Sequence, residues 1–388
     1  MKFPIYLDSH ATTPVDPWVL EQMLPYFTEK FGNAASIDHS FGSEAHEAVD
    51  NARKTIAHCI NASRDDIIFT SGATEANNIA LQGIAQKNPD KNHIITCVTE
   101  HKSVLDTCKY LESIGKKVTY IPVDNQGIIN LDVLEEAITE KTALISVMTA
   151  NNEIGTIAPI KEIGTIAHKY GVLFHTDATQ AVGHIPFDVK ASNIDLASFS
   201  GHKIYGPKGI GALYFRDSEL VAKPLPIFFG GGHERGIRSG TLNVSGIVGL
   251  AVALERSVAL MDEETAQYRK WADYLMQQFQ QKVSSVELNG HSTKRLAHNI
   301  NVSFDGVENK ALIYAVNTKL AISAGSACTT LNVEPSHVLS ALGLGLDRVH
   351  TAIRLGLGRF NTSEEIEFSA TYIISSICKL KKLNFNKA

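Results

Sequence analysis

The segment that decides the fold is DDIIFTSGATEANNIALQGIAQKNPDKNHIITCV, residues 65–98. It starts with a short apolar run, IIFT, continues through an amphipathic stretch and reaches a second apolar run, HIITCV. Such alternation predicts strands of a parallel sheet joined by covering helices. Because the pattern continues to Phe215, the sequence predicts an α/β fold.

Seven apolar runs are candidate strands: IIFT (67–70), HIITCV (93–98), KVTYIPV (117–123), ALISVM (143–148), VLFHT (172–176), LASFS (196–200) and GALYF (211–215). In open α/β sheets, ligands bind outside the carboxyl ends of the strands. We therefore expect a site among the polar residues that end or follow these runs, which are Ser71, His101, Asn152, Asp177 and Ser200.

The second half of the chain has a different pattern. After GGGHERGIRSGT (230–241), a helical pattern from about Val244 to Val283 predicts a connecting helix. A smaller α+β unit follows, with a strand at HNINVSF (298–304), a helix near 309–318, a loop at SAGSAC (323–328) and a closing helix after Thr362. Single cores stop growing at about 250–300 residues. We therefore predict two domains, a large one at 13–258 and a small one formed by 1–12 and 259–388.

Composition narrows the classes of function. A net charge of −5 and a pI near 6.3 provide no basic field for nucleic acid or anionic membranes. The N-terminus lacks the apolar core of a signal peptide, and no apolar run approaches the roughly 20 residues that span a bilayer. Five cysteines without CxxC spacing indicate neither a disulfide framework nor a zinc knuckle. We expect a soluble, cytoplasmic protein.

Lys203 is the first candidate for chemistry. Most lysines are solvated surface charges, but Lys203 lies in SFSGHKIYGPKGIGALYF (198–215), among glycines and apolar residues just after a strand. A desolvated lysine has a lowered pKa and can attack an aldehyde. We interpret it as a site lysine that could bind pyridoxal 5'-phosphate (PLP).

A PLP site also needs a carboxylate for the pyridine nitrogen and donors for the phosphate. Asp177 ends the strand VLFHTD (172–177) and could supply the carboxylate, although it could instead cap the following segment. The turn SGAT (71–74) leads from a strand into a helix, where backbone N–H groups can bind an anion. Ser200 and His202 flank the lysine and could reach the same phosphate.

Three further residues complete the candidate site. His101 follows a strand and could stack on the cofactor and move protons. Cys328 lies in AISAGSACTTLNVEPSHVL (321–339), a loop of small residues that suits a sulfur carrier, whereas the other four cysteines fit apolar patterns in which thiols are inert. Arg354 in TAIRLGLGRF (351–360) could grip a carboxylate or be a surface arginine.

Ten motifs carry a resemblance that covers nearly the whole chain: LDSHATTPVD (7–16), FTSGATEANN (69–78), TEHKSVLDTC (99–108), ANNEIGT (150–156), HTDATQAVG (175–183), SFSGHKIYGPKGIGALY (198–214), GGGHERGIRSGTLNV (230–244), GSACTT (325–330), EPSHVLSALGL (334–344) and RLGLGRF (354–360). The sequence resembles the IscS/NifS-type cysteine desulfurases of the class V aminotransferase family. The resemblance implies a type I PLP-dependent aminotransferase fold, with a mostly parallel seven-stranded sheet in the large, PLP-binding domain and the Cys328 loop in the smaller α+β domain.

The resemblance also implies roles for individual residues. Cofactor contacts are implied for Ala73, Thr74, Asn152, Asp177, Gln180, Ser200, Gly201, His202, Lys203 and Thr241. Among these, Lys203 would form the Schiff base, Gln180 would bind the phenolic oxygen, and Thr241 would reach the phosphate from the other subunit of a homodimer. The catalytic residues would be Cys328, Lys203 and His101, while Asn152 and Arg354 would bind the substrate.

The activity implied is the conversion of L-cysteine to L-alanine. Cys328 would carry the sulfur as a persulfide to acceptors that serve iron–sulfur cluster assembly and tRNA thiolation. No resident metal is implied, although Cys328 could transiently ligate a cluster in a scaffold complex. The alternatives are a selenocysteine lyase or other PLP lyase, and a non-catalytic sulfur-delivery scaffold.

Three departures from the family pattern stand out. Ala34 replaces a common proline and His10 replaces a small residue, and we expect neither to touch the chemistry. The given sequence also ends with LKKLNFNKA (380–388), whereas the family usually has a further segment that helps to dock the scaffold. This departure bears on the partner set rather than on the activity: the chain could be a housekeeping enzyme with altered docking or a paralogue with a dedicated acceptor.

Overall fold

A computed structural model describes residues 1–216, 223–325 and 335–385, apart from the side chains of 384 and 385. The strands of this part of the chain are β1 (Ile5–Tyr6), β2 (Ile67–Thr70), β3 (His93–Cys97), β4 (Lys117–Ile121), β5 (Thr142–Ser146), β6 (Leu173–Asp177), β7 (Leu196–Ser200), β8 (Gly211–Phe215), β9 (Val286–Leu288), β10 (Asn299–Phe304), β11 (Leu320–Ala321) and β12 (Ala352–Gly356).

The helices of the same ranges are α1 (Pro17–Met23), α2 (Pro25–Thr28), α3 (Ser40–Cys59), α4 (Ala73–Lys87), α5 (Lys102–Ser113), α6 (Leu131–Glu136), α7 (Ile160–Lys169), α8 (Val244–Lys282), α9 (Asn309–Val316), α10 (His337–Ala341), α11 (Leu346–His350) and α12 (Ser363–Phe385).

The central sheet has seven strands in the order β2-β8-β7-β6-β5-β3-β4. All seven predicted strands are present, and the sheet is mostly parallel as predicted. The exception is β8, which runs antiparallel to both of its neighbours, β2 and β7. The α/β fold class is therefore confirmed.

Both faces of this sheet are covered, which explains why its strands appear as continuous apolar runs. All four residues of β2 are buried. Ile67 and Phe69 belong to an apolar cluster shared with α3, α7 and α8, whereas Ile68 belongs to a second cluster shared with α4 and α5. Successive side chains of a strand point to opposite faces, so the sheet lies between two layers of helices.

A third apolar cluster surrounds the antiparallel sheet β9-β10-β12. It includes side chains of α8, α9 and α12, together with Ile5 and Leu7 from the N-terminus. Strand β1 pairs with β11, which attaches the first residues of the chain to this part of the protein. The division into domains at 13–258 and at 1–12 with 259–388 stays a prediction.

Helix α8 connects the two regions as predicted, because Leu250 lies in the core beside the large sheet and Leu275 lies in the third cluster, around β9-β10-β12. Its length and composition would allow it to cross a membrane, but half of its most apolar 18-residue stretch is buried inside the protein. Glu255 and Arg256 also interrupt the apolar run. The helix therefore has the character of a core helix.

The carboxyl ends of the parallel strands open onto one edge of the large sheet. The antiparallel strand β8 starts at the same edge, where Gly211 packs against the turn before α4. A Cβ atom at position 211 would lie 2.6 Å from Cα of Gly72. Glycine at this position therefore lets β8 approach the turn that leads into the candidate site.

Candidate active site

A cavity of about 530 Å³ lies at this edge. Ten predicted site residues line it: Ala73, Thr74, His101, Asn152, Asp177, Gln180, Ser200, His202, Lys203 and Arg354. Two predicted residues, Gly201 and Thr241, do not line the cavity. Gly201 is buried in its turn, where its N–H donates to the Ile210 carbonyl at 3.0 Å, and Thr241 is exposed outside the cavity. Cys328 lies outside the described residues.

Lys203 ends a 3-10 turn, Gly201–Lys203, that directly follows β7. Its Nζ atom donates to the main-chain oxygens of His10 and Ala11, at 2.6 Å and 2.7 Å. The lysine is only partly exposed. The fold thus holds its amine in the cavity against two carbonyl groups of the N-terminal segment.

Asp177 is the last residue of β6 and is 4 % exposed. Its Oδ2 atom accepts a hydrogen bond from Nδ2 of Asn77 at 2.8 Å, and Oδ1 accepts one from the backbone N–H of Thr179 at 3.0 Å. These two hydrogen bonds fix the orientation of the carboxylate. A buried, fixed carboxylate therefore faces the cavity beside the lysine.

The start of α4 at Ala73 forms a corner of the cavity that could hold an anion. Gly72 caps this helix and provides no side-chain hydrogen bond, so backbone N–H groups of the first turn are available to an anion. The nearest carboxylate, that of Glu75, is already paired: it accepts from the Ser71 N–H at 2.7 Å and from Nε of Arg238 at 2.8 Å.

Two polar side chains beside the lysine complete this corner. Ser200 ends β7, and His202 lies in the turn that follows it. Burial, aided by the charges of Lys203 and Lys208, lowers the pKa of His202 to about 4. His202 is therefore neutral at pH 7 and can offer a phosphate a hydrogen bond but no charge.

His101 caps the N-terminus of α5 with its ring. Its Nδ1 atom accepts from the Ser103 N–H at 3.1 Å and lies 2.8 Å from the Ser103 hydroxyl. Because Nδ1 is an acceptor, the proton of the neutral ring lies on Nε2. Burial lowers the ring's pKa, so this neutral tautomer is present at pH 7.

Arg354 lies in β12 and is 1 % exposed, so it is not a surface arginine. It pairs through Nη2 with Oδ1 of Asp8 and donates through Nη1 to the Asn152 carbonyl, both at 2.8 Å. Its Nε atom has no hydrogen-bond partner among the described residues. The guanidinium is thus fixed in place and retains N–H donors for a substrate carboxylate.

Sequence reasoning missed two contributors to this site. Asn77 holds Asp177, and its position within FTSGATEANN was the available signal. His10 lines the cavity and lies 3.0 Å, Nδ1 to Oε1, from Gln180. The sequence predicts that His10 lies apart from the chemistry. The structure corrects this, because His10 lies in the cavity lining and its main-chain oxygen accepts from Nζ of Lys203.

Comparison with known proteins identifies the family. The chain matches the aminotransferase class-V family over residues 5–368. The chain belongs to this family. A cysteine desulfurase IscS of Rickettsia africae is 52 % identical over 385 residues, which cover 99 % of this chain and 93 % of that protein.

Solved structures agree with this class-V assignment. A NifS-like protein matches with a TM-score of 0.90 and 37 % identity, covering 96 % of this chain and 99 % of its own. A protein described as SspA in complex with cysteine matches with a TM-score of 0.81 and 38 % identity, covering 92 % and 99 %. The predicted resemblance is confirmed, as are the fold class and the dependence of this class-V enzyme on PLP.

Proposed function

We propose that this class-V enzyme is a cysteine desulfurase, which converts L-cysteine to L-alanine and transfers the sulfur as a persulfide on Cys328. The relatives named above support the activity. The observation that carries the proposal is one cavity that combines the Lys203 amine, the Asp177 carboxylate and the Arg354 guanidinium. An amino-acid substrate of a PLP enzyme requires these three groups together.

The residues of the cavity fit the cofactor. Asp177 would pair with the pyridine nitrogen and Gln180 would bind the phenolic oxygen. The phosphate would lie at Ala73 and Thr74, where the start of α4 leaves N–H groups available, with Ser200 and His202 beside it. Bound there, PLP supplies an electron sink for the substrate carbon.

The side chains that would handle the substrate lie around the same space. Arg354 would bind its carboxylate, with Asp8 and the Asn152 carbonyl fixing the guanidinium. Lys203 would remove the proton from the substrate's α-carbon, because its amine reaches into the cavity. His101, neutral with its proton on Nε2, would stack on the cofactor and return protons.

Cys328 is favoured as the sulfur acceptor because each of the other four cysteines is either hard to ionise or outside the cavity lining. Burial raises the pKa of Cys59 to about 11 and the pKa values of Cys97 and Cys108 to about 12. Cys378 is exposed but does not line the cavity. The Cys328 thiolate would attack the substrate sulfur, so that an S–S bond forms as the C–S bond breaks; the carbon fragment keeps the electron pair, takes a proton and leaves as alanine.

The wider setting is also part of the proposal. The enzyme would act as a cytoplasmic homodimer, with Thr241 of each subunit reaching the phosphate of the other, and would pass sulfur to acceptors for iron–sulfur assembly and tRNA thiolation. Thr241 is exposed and lies outside the cavity of its own subunit, which supports a contact with the phosphate in the other subunit. The pairing of β1 with β11 supports the assignment of residues 1–12 to the smaller domain.

An absorbance spectrum tests the cofactor site. The purified enzyme should show a band at roughly 390–420 nm, as expected for a Schiff base between lysine and PLP. Lys203→Ala should abolish the band, while Lys161→Ala, on the exposed face of α7, should keep it. Addition of cysteine should then yield alanine and, with a reductant, sulfide. A colourless protein that PLP cannot reconstitute would overturn the proposal.

A further inference from the structure

Two buried histidine rings, His10 and His298, and the half-buried ring of His184 form a stack directly beside the lysine. His298 lies in the middle, with ring centroids 4.5 Å from His10 and 4.4 Å from His184. The interplanar angles are 23° and 30°. We call these three residues the imidazole column. Its members come from the N-terminal segment, the turn after β6 and the residue before β10, so the column joins distant parts of the chain.

Both outer rings of the column bind groups of the candidate site. His10 lies 3.0 Å from Oε1 of Gln180 through Nδ1, and its main-chain oxygen accepts from Nζ of Lys203. His184 lies 2.9 Å from the Lys203 carbonyl through Nε2, so that nitrogen must be the donor. The column therefore contacts Lys203 at two points. The main-chain oxygen of His10 binds the lysine side chain, and the ring of His184 binds the lysine carbonyl.

Hydrogen bonding fixes the tautomer of His10. Nε2 of Gln180 donates to the main-chain oxygen of His10 at 3.1 Å, which turns Oε1 of the same amide toward the ring. Nδ1 of His10 must then donate to that oxygen. Its Nε2 atom is left as a buried lone pair without a hydrogen-bond partner among the described residues.

This arrangement requires an uncharged ring. A proton on Nε2 of His10 would create a buried cation with an unpaired N–H group, which is costly. The charged groups that act on the column are also cations: Arg354 and Lys203 beside His10, and Lys203 and Arg359 beside His184. With burial, they lower the pKa of His10 far below its usual value and that of His184 to about 4.

We propose that the imidazole column is a positioning device for the cofactor site: stacking on His298 keeps His10 dry and neutral, and His10 in turn fixes the Gln180 amide and the Lys203 amine. The oriented amide has a second N–H, which would be available to the phenolic oxygen of PLP. Because this role concerns the cofactor, the inference rests on the proposed function.

Substitution of the central residue, His298, tests the role of the column, because the contacts with Gln180 and Lys203 are made by His10 and His184. His298→Ala removes the stacking partner and admits water, whereas His298→Phe keeps an aromatic ring without a titratable group. In His298→Ala, the pKa of His10 should rise toward the ordinary imidazole value of about 6.5. The cofactor absorbance should then show an additional transition between about pH 5 and 7, while wild type and His298→Phe should not.

NMR of the apoprotein provides a second readout that does not depend on PLP. The His10 ring signals should be constant between about pH 5 and 8 in wild type and should titrate in His298→Ala. Affinity for PLP should also fall about tenfold in His298→Ala, the effect of about one lost hydrogen bond. A wild-type enzyme without the PLP band would refute the proposed function but leave the NMR test intact.

Two outcomes would refute the column's role. One is a His298→Ala enzyme that melts at a lower temperature but keeps the wild-type titration and PLP affinity, as expected of a packing residue. The other is a His298→Phe enzyme that titrates like His298→Ala. If His298→Ala does not fold, His10→Ser removes the Gln180 contact directly, and unchanged PLP affinity in that variant would also refute the inference.

Discussion

Asn77 connects the two polar side chains assigned to the cofactor ring. One N–H of its amide donates to Asp177 at 2.8 Å, and the other donates to the Ser103 hydroxyl at 2.9 Å. That hydroxyl lies 2.8 Å from Nδ1 of His101. A single fully buried asparagine thus sets the relative position of the carboxylate and the imidazole.

We predict that Asn77→Ala weakens PLP binding by about 10- to 100-fold, because a hydrogen bond to a charged group contributes about 1.5–3 kcal/mol. The measurement is titration of the apoenzyme with PLP. Asn88→Ala, at the other end of α4, is the matched control and should bind normally. Wild-type affinity in Asn77→Ala would show that the contact does not support the cofactor.

Cys328→Ala should separate cofactor binding from sulfur transfer. The variant should keep the PLP absorbance band and still bind cysteine, but it should lose production of alanine because no thiolate takes the sulfur. Cys378→Ala, which removes an exposed thiol on α12, should retain activity. Full activity of Cys328→Ala on cysteine would instead favour a selenocysteine lyase or another PLP lyase.

Arg354→Lys should affect substrate binding more than turnover. Lysine keeps the charge beside Asp8 but loses the planar fork that grips a carboxylate with two N–H groups. We expect KM for cysteine to rise at least about tenfold, with a smaller change in kcat. Arg348→Lys, in α11 outside the cavity, should leave KM unchanged. Equal KM values for both variants would contradict the assignment of Arg354.

The fold should lose stability in mild acid. Burial lowers the pKa values of His175 and His184 to about 4, below the ordinary value of about 6.5 expected in the unfolded chain. Unfolding therefore takes up protons between about pH 4 and pH 6.5. The contribution of each ring is fully present above about pH 6.5 and is lost toward pH 4, with a slope of about 1.4 kcal/mol per pH unit.

Denaturant unfolding at several pH values measures this slope. His175→Gln should reduce the slope, whatever its effect on stability at pH 7, because it removes one buried titrating ring. His350→Gln, at an exposed position, should leave the slope unchanged. If His175→Gln keeps the wild-type slope, His175 is not a source of the acid sensitivity.

Much of the fold was predictable because the central strands are buried on both faces. The run IIFT, for example, is apolar in every position except Thr70 and becomes β2. The pairing of β1 with β11 could not be predicted, because each strand has two residues and no periodicity can be recognised at that length. The antiparallel direction of β8 was also not visible in its apolar run.

The lining of the cavity was predictable where a polar residue ends or closely follows a strand, as at Asp177 and Lys203. It was not predictable where a side chain acts through tertiary contacts. His10 reaches Gln180 across a separation of 170 residues, and its ring stacks on that of His298. The sequence did show that a histidine replaces a small residue in the N-terminal motif. Only the structure shows that this histidine stacks on His298.

The N-terminal segment has a consequence for biosynthesis. Its carbonyl groups at His10 and Ala11 hold the Lys203 amine, yet the segment is itself anchored by contacts such as that between Asp8 and Arg354, which are 346 residues apart. Such a contact cannot form before both of its residues have been synthesised. A nascent chain therefore cannot complete its cofactor site until the strand that contains Arg354 has left the ribosome.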